Sequence, residues 1–289
     1  LSKTFQSHTM SISSLATHPN KPIVATASDD CTWKLWNLPS GELIMSGEGH
    51  TEWLSSCDFH PQGTHLATGS ADCSVKLWNF QDAKCMATLS EHTQPVWSVA
   101  YHDCGDFVVS SSMDHTAKLW DLVARKCKQT LRGHVDSVNS VVFQPYSNNV
   151  ATGSGDKTVS LWDCRSGLCI QTFYGHKNAV NSVAFANKGN VMASADADGI
   201  ARLWDVRMVA EINAFSAGPH PCNSVAFDVS DNRLAACSDD GMVRFFDVQK
   251  KEALATLSGH SDAVQCCTFD KKGSFLLTGG SDATLRLWC

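Results

Sequence analysis

The 289-residue chain is 43% hydrophobic and 18% charged, a globular composition that excludes an intrinsically disordered protein. Twenty-three basic and twenty-nine acidic side chains leave a net charge of −6, which argues against nucleic acid or an anionic membrane surface as the main partner. Thirteen cysteines with no C-x-x-C, no N-x-S/T acceptor and no apolar run near the ~18 residues of a membrane-spanning helix point to a reducing, intracellular protein.

The chain opens at Leu1 with neither an initiator Met nor a signal-like segment, and so reads as a domain excised from a longer protein. Lys3-Thr4-Phe5-Gln6-Ser7-His8 then suggests a short strand entering a loop. Beyond it an aromatic and its polar neighbour recur every 42 residues, at Trp36-Asn37, Trp78-Asn79, Trp120-Asp121, Trp162-Asp163, Trp204-Asp205, Phe246-Asp247 and Trp288-Cys289. Six residues before each aromatic stands an aspartate: Asp30, Asp72, Asp114, Asp156, Asp198, Asp240 and Asp282. Ten before it is a hydroxyl at Thr26, Thr68, Ser110, Thr152, Ser194 and Thr278, with Ala236 the exception. Twenty-eight before it come His8, His50, His92, His134, His176 and His260, with Gly218 interrupting the series. Seven phased copies override the prior of about two domains that length alone sets.

Every run within a repeat is strand-like. The fourth repeat predicts strands over 138–143, 149–153, 158–162 and 169–173, each rich in β-branched and aromatic residues and bounded by turn formers. Four short antiparallel strands per period make one blade, and seven blades around an axis bury both faces of each sheet. The ends are expected to close the ring. Lys3–His8 aligns with Gln171–His176, the end of an outer strand and its loop, whereas the chain stops at the end of a third strand. Seven periods need five residues more than are present, about one turn. Ser2–Gln6 is therefore expected to complete the blade built from 261–289, with residues 1–7 closing a single propeller over 1–289 that has no open sheet edge.

The Gly-His, the Ser/Thr, the turn Asp and the Trp-Asp at this spacing resemble the WD40 family over the whole chain, a likeness specific for fold and nearly silent on function. It implies an all-β, seven-bladed propeller with strand a innermost, in which the Asp, His, Ser/Thr and Trp of each blade join one hydrogen-bonded network. Repeat six departs at three of the four positions together, Gly218, Ala236 and Phe246. Such correlated loss suits a shared network, because stranding one buried partner costs about 1–3 kcal/mol whereas replacing several is nearly neutral. Asp240 remains for the backbone bonds of its own turn. With Gly218-Pro219-His220-Pro221 as its loop, this blade is expected to be the weakest. At finer grain, HPNKPIVATASDDCTWKLWNLPSGELIMSGEGHTEW (18–53) is similar to the sperm-associated WD-repeat proteins of the axonemal central apparatus. That likeness implies a cytoplasmic scaffold of cilium or flagellum that binds axonemal subunits or peptide segments.

No catalytic, cofactor or metal site is read from the chain. His18, His60 and His102 form a second 42-spaced set in the a–b turn, and His65, His115 and His220 lack ligand spacing. Cys31 and Cys73, and Cys85, Cys127 and Cys169, also fall at repeat positions, and Cys266-Cys267 reads as core. Gly153–Thr158 mimics a phosphate loop without its Gly-Lys or following helix. The basic residue two before six of the seven aromatics (Lys34, Lys76, Lys118, Arg202, Arg244, Arg286) reads as scaffold. An enzyme, a cofactor, nucleic acid, a membrane and a small-molecule substrate are thus not expected. One alternative function stands beside the scaffold: Trp162-Asp163-Cys164-Arg165 and Trp204-Asp205-Val206-Arg207 resemble the W-D-x-R boxes of substrate receptors for cullin-type ubiquitin ligases.

Subtracting the repeat isolates the individual residues. Five beyond each His, near the channel mouth, stand Ser13, Ser55, Trp97, Asn139, Asn181, Asn223 and Gln265. Three beyond each His, and just before each turn Asp, small and polar residues again dominate. Trp53, Trp97 and Met113 break that pattern on blades two and three, beside Asp29 on blade one and Asp239 on blade six. These five are expected to bind a partner peptide through an apolar or basic anchor. Trp33 occupies a strand-c slot otherwise held by Val, Ala or Leu, and reads as a bulky core residue.

Overall fold

The structure is a computed structural model and describes residues 3–289. It consists of seven four-stranded antiparallel sheets, each a meander lettered a to d from the inside outward, with no helix among the described residues. Blade four runs Val138–Phe143, Asn149–Ser154, Thr158–Asp163 and Leu168–Tyr174, within a residue of the ranges set by periodicity. In the last sheet, Val264–Phe269, Leu276–Gly280 and Thr284–Trp288 take Lys3–Gln6 as their fourth strand, with Thr4 opposite Arg286 and Phe5 opposite Leu285. Ser2, the first residue of the expected pairing, lies outside the described residues.

The core lies between blades. One cluster joins Trp33 and Leu35 of blade one to Leu54, Phe59 and Trp78 of blade two, and another joins Ile12, Val24 and Trp36 to Leu277, Leu285 and Leu287 across the closure. Strand b is accordingly buried along nearly its whole length in every blade, because both its faces meet a neighbour. One expectation needs correction: closing the ring removes its open end, but strand d of each blade is still an outer edge. In blades one to six that edge carries a bulge opposite the aromatic, as between Leu161 and Trp162, which interrupts pairing along it.

Trp33 is fully buried, and its setting shows why blade one accepts it. Five blades pair a small strand-c residue with a large one on strand d: Val75 with Leu89, Ala117 with Leu131, Val159 with Phe173, Ala201 with Phe215 and Val243 with Leu257. Blade one inverts the sizes, pairing Trp33 with Gly47. A Cβ on Gly47 would lie 2.2 Å from Trp33 Cε2, so only glycine leaves room for the indole. Trp33 also meets Trp78 edge-on at 5.5 Å and Phe80 at 6.4 Å, and its Nε1–H is buried without a partner.

Candidate functional site

A hydrogen-bonded network closes one end of each blade. In blade four, the Asp156 carboxylate accepts from His134 Nδ1 at 2.7 Å, the Thr152 hydroxyl meets His134 Nε2 at 2.7 Å, and Trp162 Nε1–H donates to Thr152 at 2.7 Å. Asp156 also accepts from the amides of Val135 and Thr158 and from the Thr158 hydroxyl, which pins the d–a loop to the b–c turn. The same set joins His8, Thr26, Asp30 and Trp36; His50, Thr68, Asp72 and Trp78; His92, Ser110, Asp114 and Trp120; and His260, Thr278, Asp282 and Trp288. Burial pushes the Asp30 carboxyl up, but the Thr32 and His8 hydrogen bonds outweigh it and hold it at about 2. Burial, the larger influence, keeps the His8 and His260 imidazoles below their ordinary value, so each is a neutral relay between an acid and a hydroxyl.

Blade five corrects one assignment. His176 pairs with Asp196 at 2.7 Å, not with Asp198, while Ser194 and Trp204 keep their places. The other blades end strand b on Ser28, Ser70, Ser112, Ser154, Ser238 or Gly280, where blade five has Asp196. Its carboxylate reaches the imidazole directly, and its other oxygen accepts the amides of Asp198 and Ile200. One acid thus does the work of both the serine and the turn aspartate. Asp198, released, accepts from Asn178 in the exposed loop at 2.9 Å.

Blade six is rebuilt. Arg244 Nη2 donates to Asp240 at 2.6 Å, Nη1 donates to the Ala217 carbonyl, and the guanidinium fills the space in front of Gly218. Phe246 stacks on Phe215 at 4.6 Å in place of the indole hydrogen bond. A basic residue stands at this position in five other blades as well, and Arg286 reaches Asp282 beside an intact His260; in blade six, with the His gone, Arg244 alone takes over the contact to the turn aspartate.

The residue five beyond each His is the bulged residue of strand a: pairing skips Trp97 between Val96 and Ser98, and skips its counterpart in every other blade. The bulge frees that side chain from the ladder and re-aims it. Ser55 donates to the Val96 carbonyl of the next blade at 2.6 Å, Asn139 to Val180 at 2.9 Å, Asn181 to Cys222 at 3.1 Å and Asn223 to Val264 at 3.1 Å, and Ser13 likewise reaches Leu54. This belt of inter-blade bonds breaks at Trp97, whose Nε1–H is buried and unpaired, and at Gln265, which turns to Ser281.

Inside the belt lies a cavity of about 710 Å³ lined by Met10, Asp29, Trp53, Trp97 and the polar belt residues. Trp53 and Trp97 pack at 5.3 Å between ring centroids with their planes 41° apart. The Asp29 carboxyl, half-buried, is pushed up by burial and then by the neighbouring Asp30 charge. Of the five expected binding residues, the structure gathers Trp53, Trp97 and Asp29 around the cavity. Met113 is 44% exposed but outside the lining, and Asp239, also outside it, accepts from Asn223 at 2.7 Å. Sequence reading passed over Met10, although the other repeats carry only polar residues two beyond the His: Glu52, Gln94, Asp136, Asn178, His220 and Asp262. It also passed over Asp58, on strand a, whose carboxylate accepts the Phe59 and Tyr101 amides and is raised to about 6 by burial.

At the opposite end, the second histidine set joins blades. The rings of His18 and His60 lie against Gly63 and Gly105 of the next blade, and His102 Nε2 approaches the Ser147 carbonyl at 3.3 Å. Cys57 and Cys164 are buried with thiols raised to about 12, and Cys266 is pushed up by burial as well. Gly153–Thr158 is the end of strand b, a turn and the start of strand c. No group of three His, Cys, Asp or Glu among the described residues is placed to hold a metal.

Comparison with known proteins agrees with the geometry. The family model for the WD domain, G-beta repeat, matches seven times, at residues 1–37, 41–79, 83–121, 125–163, 167–205, 212–247 and 251–289. The flagellar WD repeat-containing protein Pf20 of Chlamydomonas reinhardtii is 61% identical over 49 residues, a match that takes in 17% of this chain and 8% of that relative. Propellers of this kind are typically non-enzymatic scaffolds that bind other proteins. With a repeat matched in every blade, the chain belongs to the WD40, or G-beta repeat, family.

Proposed function

We propose that this propeller is a non-enzymatic interaction platform of the flagellar or ciliary axoneme, within its central apparatus, and that it seats segments of partner proteins at the channel mouth. The observation that carries the reading is the departure from the repeat at that mouth. Six of the seven bulged positions hold Ser, Asn or Gln, and the seventh holds Trp97 against Trp53. Trp97 breaks the inter-blade belt and leaves an indole N–H unpaired, which costs stability on the order of 1–3 kcal/mol. Trp33 also has an unpaired N–H but lies in the core, whereas Trp97 lines the cavity, and a residue that weakens the fold at a cavity is expected to serve binding. The flagellar relative supports the cellular setting. Capture from axonemal extracts on the immobilised propeller tests the proposal. Trp53→Ala and Trp97→Ala should each release the partner, with a loss of about 2 kcal/mol or more, roughly thirtyfold. Retention by both variants would refute it.

A second reading has its own observation. Arg165 and Arg207 are exposed on adjacent blades, on c–d turns away from the mouth, and Asp163 and Asp205 cap their backbone amides. A ligase adaptor bound by the wild type and lost in Arg165→Ala with Arg207→Ala would favour the ubiquitin-ligase receptor.

A further inference from the structure

We propose that the mouth is a cation pocket, taking the ammonium or guanidinium of a lysine or arginine on the partner segment against Asp29 and the Trp53–Trp97 pair. The inference rests on the mouth being the partner site and adds the chemistry of the anchor.

Charge on this face is one-sided. In the loops between strands, outside the networks, seven carboxylates face two lysines, Lys157 and Lys177, both on blades four and five. Four carboxylates gather at the seam of blades one and two, where the Cys31 thiol is pushed up by burial and then by Glu52, Asp30, Asp29 and Asp72; their counterparts at the seam of blades six and seven, Asp239, Asp240, Asp262 and Asp282, all lie outside the cavity lining. Asp30 and Asp72 are committed to His8 and His50. Asp29 lines the cavity, whereas Glu52, exposed and next to Trp53 in sequence, lies outside the lining. Burial and the Asp30 charge both disfavour the Asp29 carboxylate, with no basic group acting against them.

An apolar anchor would strip the remaining water from Asp29 and return nothing, a cost of several kcal/mol for an unpaired carboxylate. An acidic anchor would meet like charge. A cation neutralises Asp29 and is attracted to the indole faces beside it. The polar belt from Asn139 to Asn223 offers no comparable pairing, so the anchor belongs on the side of blades one to three.

The test follows the indole N–H resonances of Trp53 and Trp97 in the whole propeller. Short blocked Gly/Ser peptides carrying one central lysine, arginine or norleucine are titrated into it. The lysine or arginine peptide should shift both indoles, and norleucine should not. The lysine and arginine arms separate an ammonium from a guanidinium site. Asp29→Asn should weaken the cationic peptide about five- to tenfold, and Asp136→Asn, which removes the same charge from the same face outside the cavity, should change binding less than twofold. Norleucine binding as tightly as lysine, or equal losses in the two variants, would overturn the cation pocket. So would unmoved indoles with every peptide. In each case loss of partner capture in Trp97→Ala would leave the platform itself standing.

Discussion

Inverting the pair Trp33 and Gly47 tests the packing between blades one and two. Trp33→Val removes a fully buried indole that meets Trp78 at 5.5 Å, and large-to-small changes of this kind cost about 3–5 kcal/mol. Removing the unpaired Nε1–H returns part of that, on the order of 1–3 kcal/mol, so a net loss of about 2–3 kcal/mol is expected. Gly47→Leu alone places a Cβ 2.2 Å from the indole, and overpacking should cost at least about 1–3 kcal/mol. The double variant recreates the Val75–Leu89 pair of blade two and should lie within about 1 kcal/mol of wild type. Urea denaturation of the four proteins gives the coupling energy, expected at about 3–6 kcal/mol in the stabilising direction if the double variant matches wild type. Additive losses would refute the argument that volume is exchanged between strands c and d.

Other expectations follow from the networks. Asp196→Asn should destabilise by about 1–3 kcal/mol and Asp198→Asn by less than about 0.5, read as denaturation midpoints; the reverse order would restore the turn aspartate to its place. Arg244→Ala should leave Asp240 without its ion pair and speed hydrogen exchange across 222–247, while 138–163 stays unchanged. Stability should fall below about pH 6.5, because the unfolded chain takes up protons that buried His8 and His260 refuse, and more steeply below about pH 4 as unfolded aspartates protonate while Asp30 and its counterparts stay ionised. Asp58, raised to about 6, binds its proton more readily when folded and offsets part of this loss; Asp58→Asn should therefore steepen the decline between pH 6 and 4, measured by thermal melts.

What was legible in the chain was what repeats. A period of 42 places four strands and a polar tetrad in each blade, and the backbone has little choice once seven copies are phased. What escaped were single side chains that do another residue's work. Asp196 stands at a serine position and reaches the imidazole only because its side chain is longer, so spacing alone favoured Asp198. Arg244 had five basic counterparts at its position, and nothing in its identity marks it as the substitute for a histidine twenty-six residues earlier. The mouth was partly legible. Spacing located the bulged ring, but which exceptions share the cavity depends on side-chain direction, which brings in Met10 and leaves Met113 and Asp239 outside the lining.

Hydrogen exchange of the propeller with its captured axonemal partner bound tests the central claim most directly. Binding at the mouth predicts protection over 9–13, 28–31, 51–55 and 94–98, the segments that carry Met10, Asp29, Trp53 and Trp97. Protection confined to the c–d turns around Arg165 and Arg207, with the mouth segments unchanged, would contradict it.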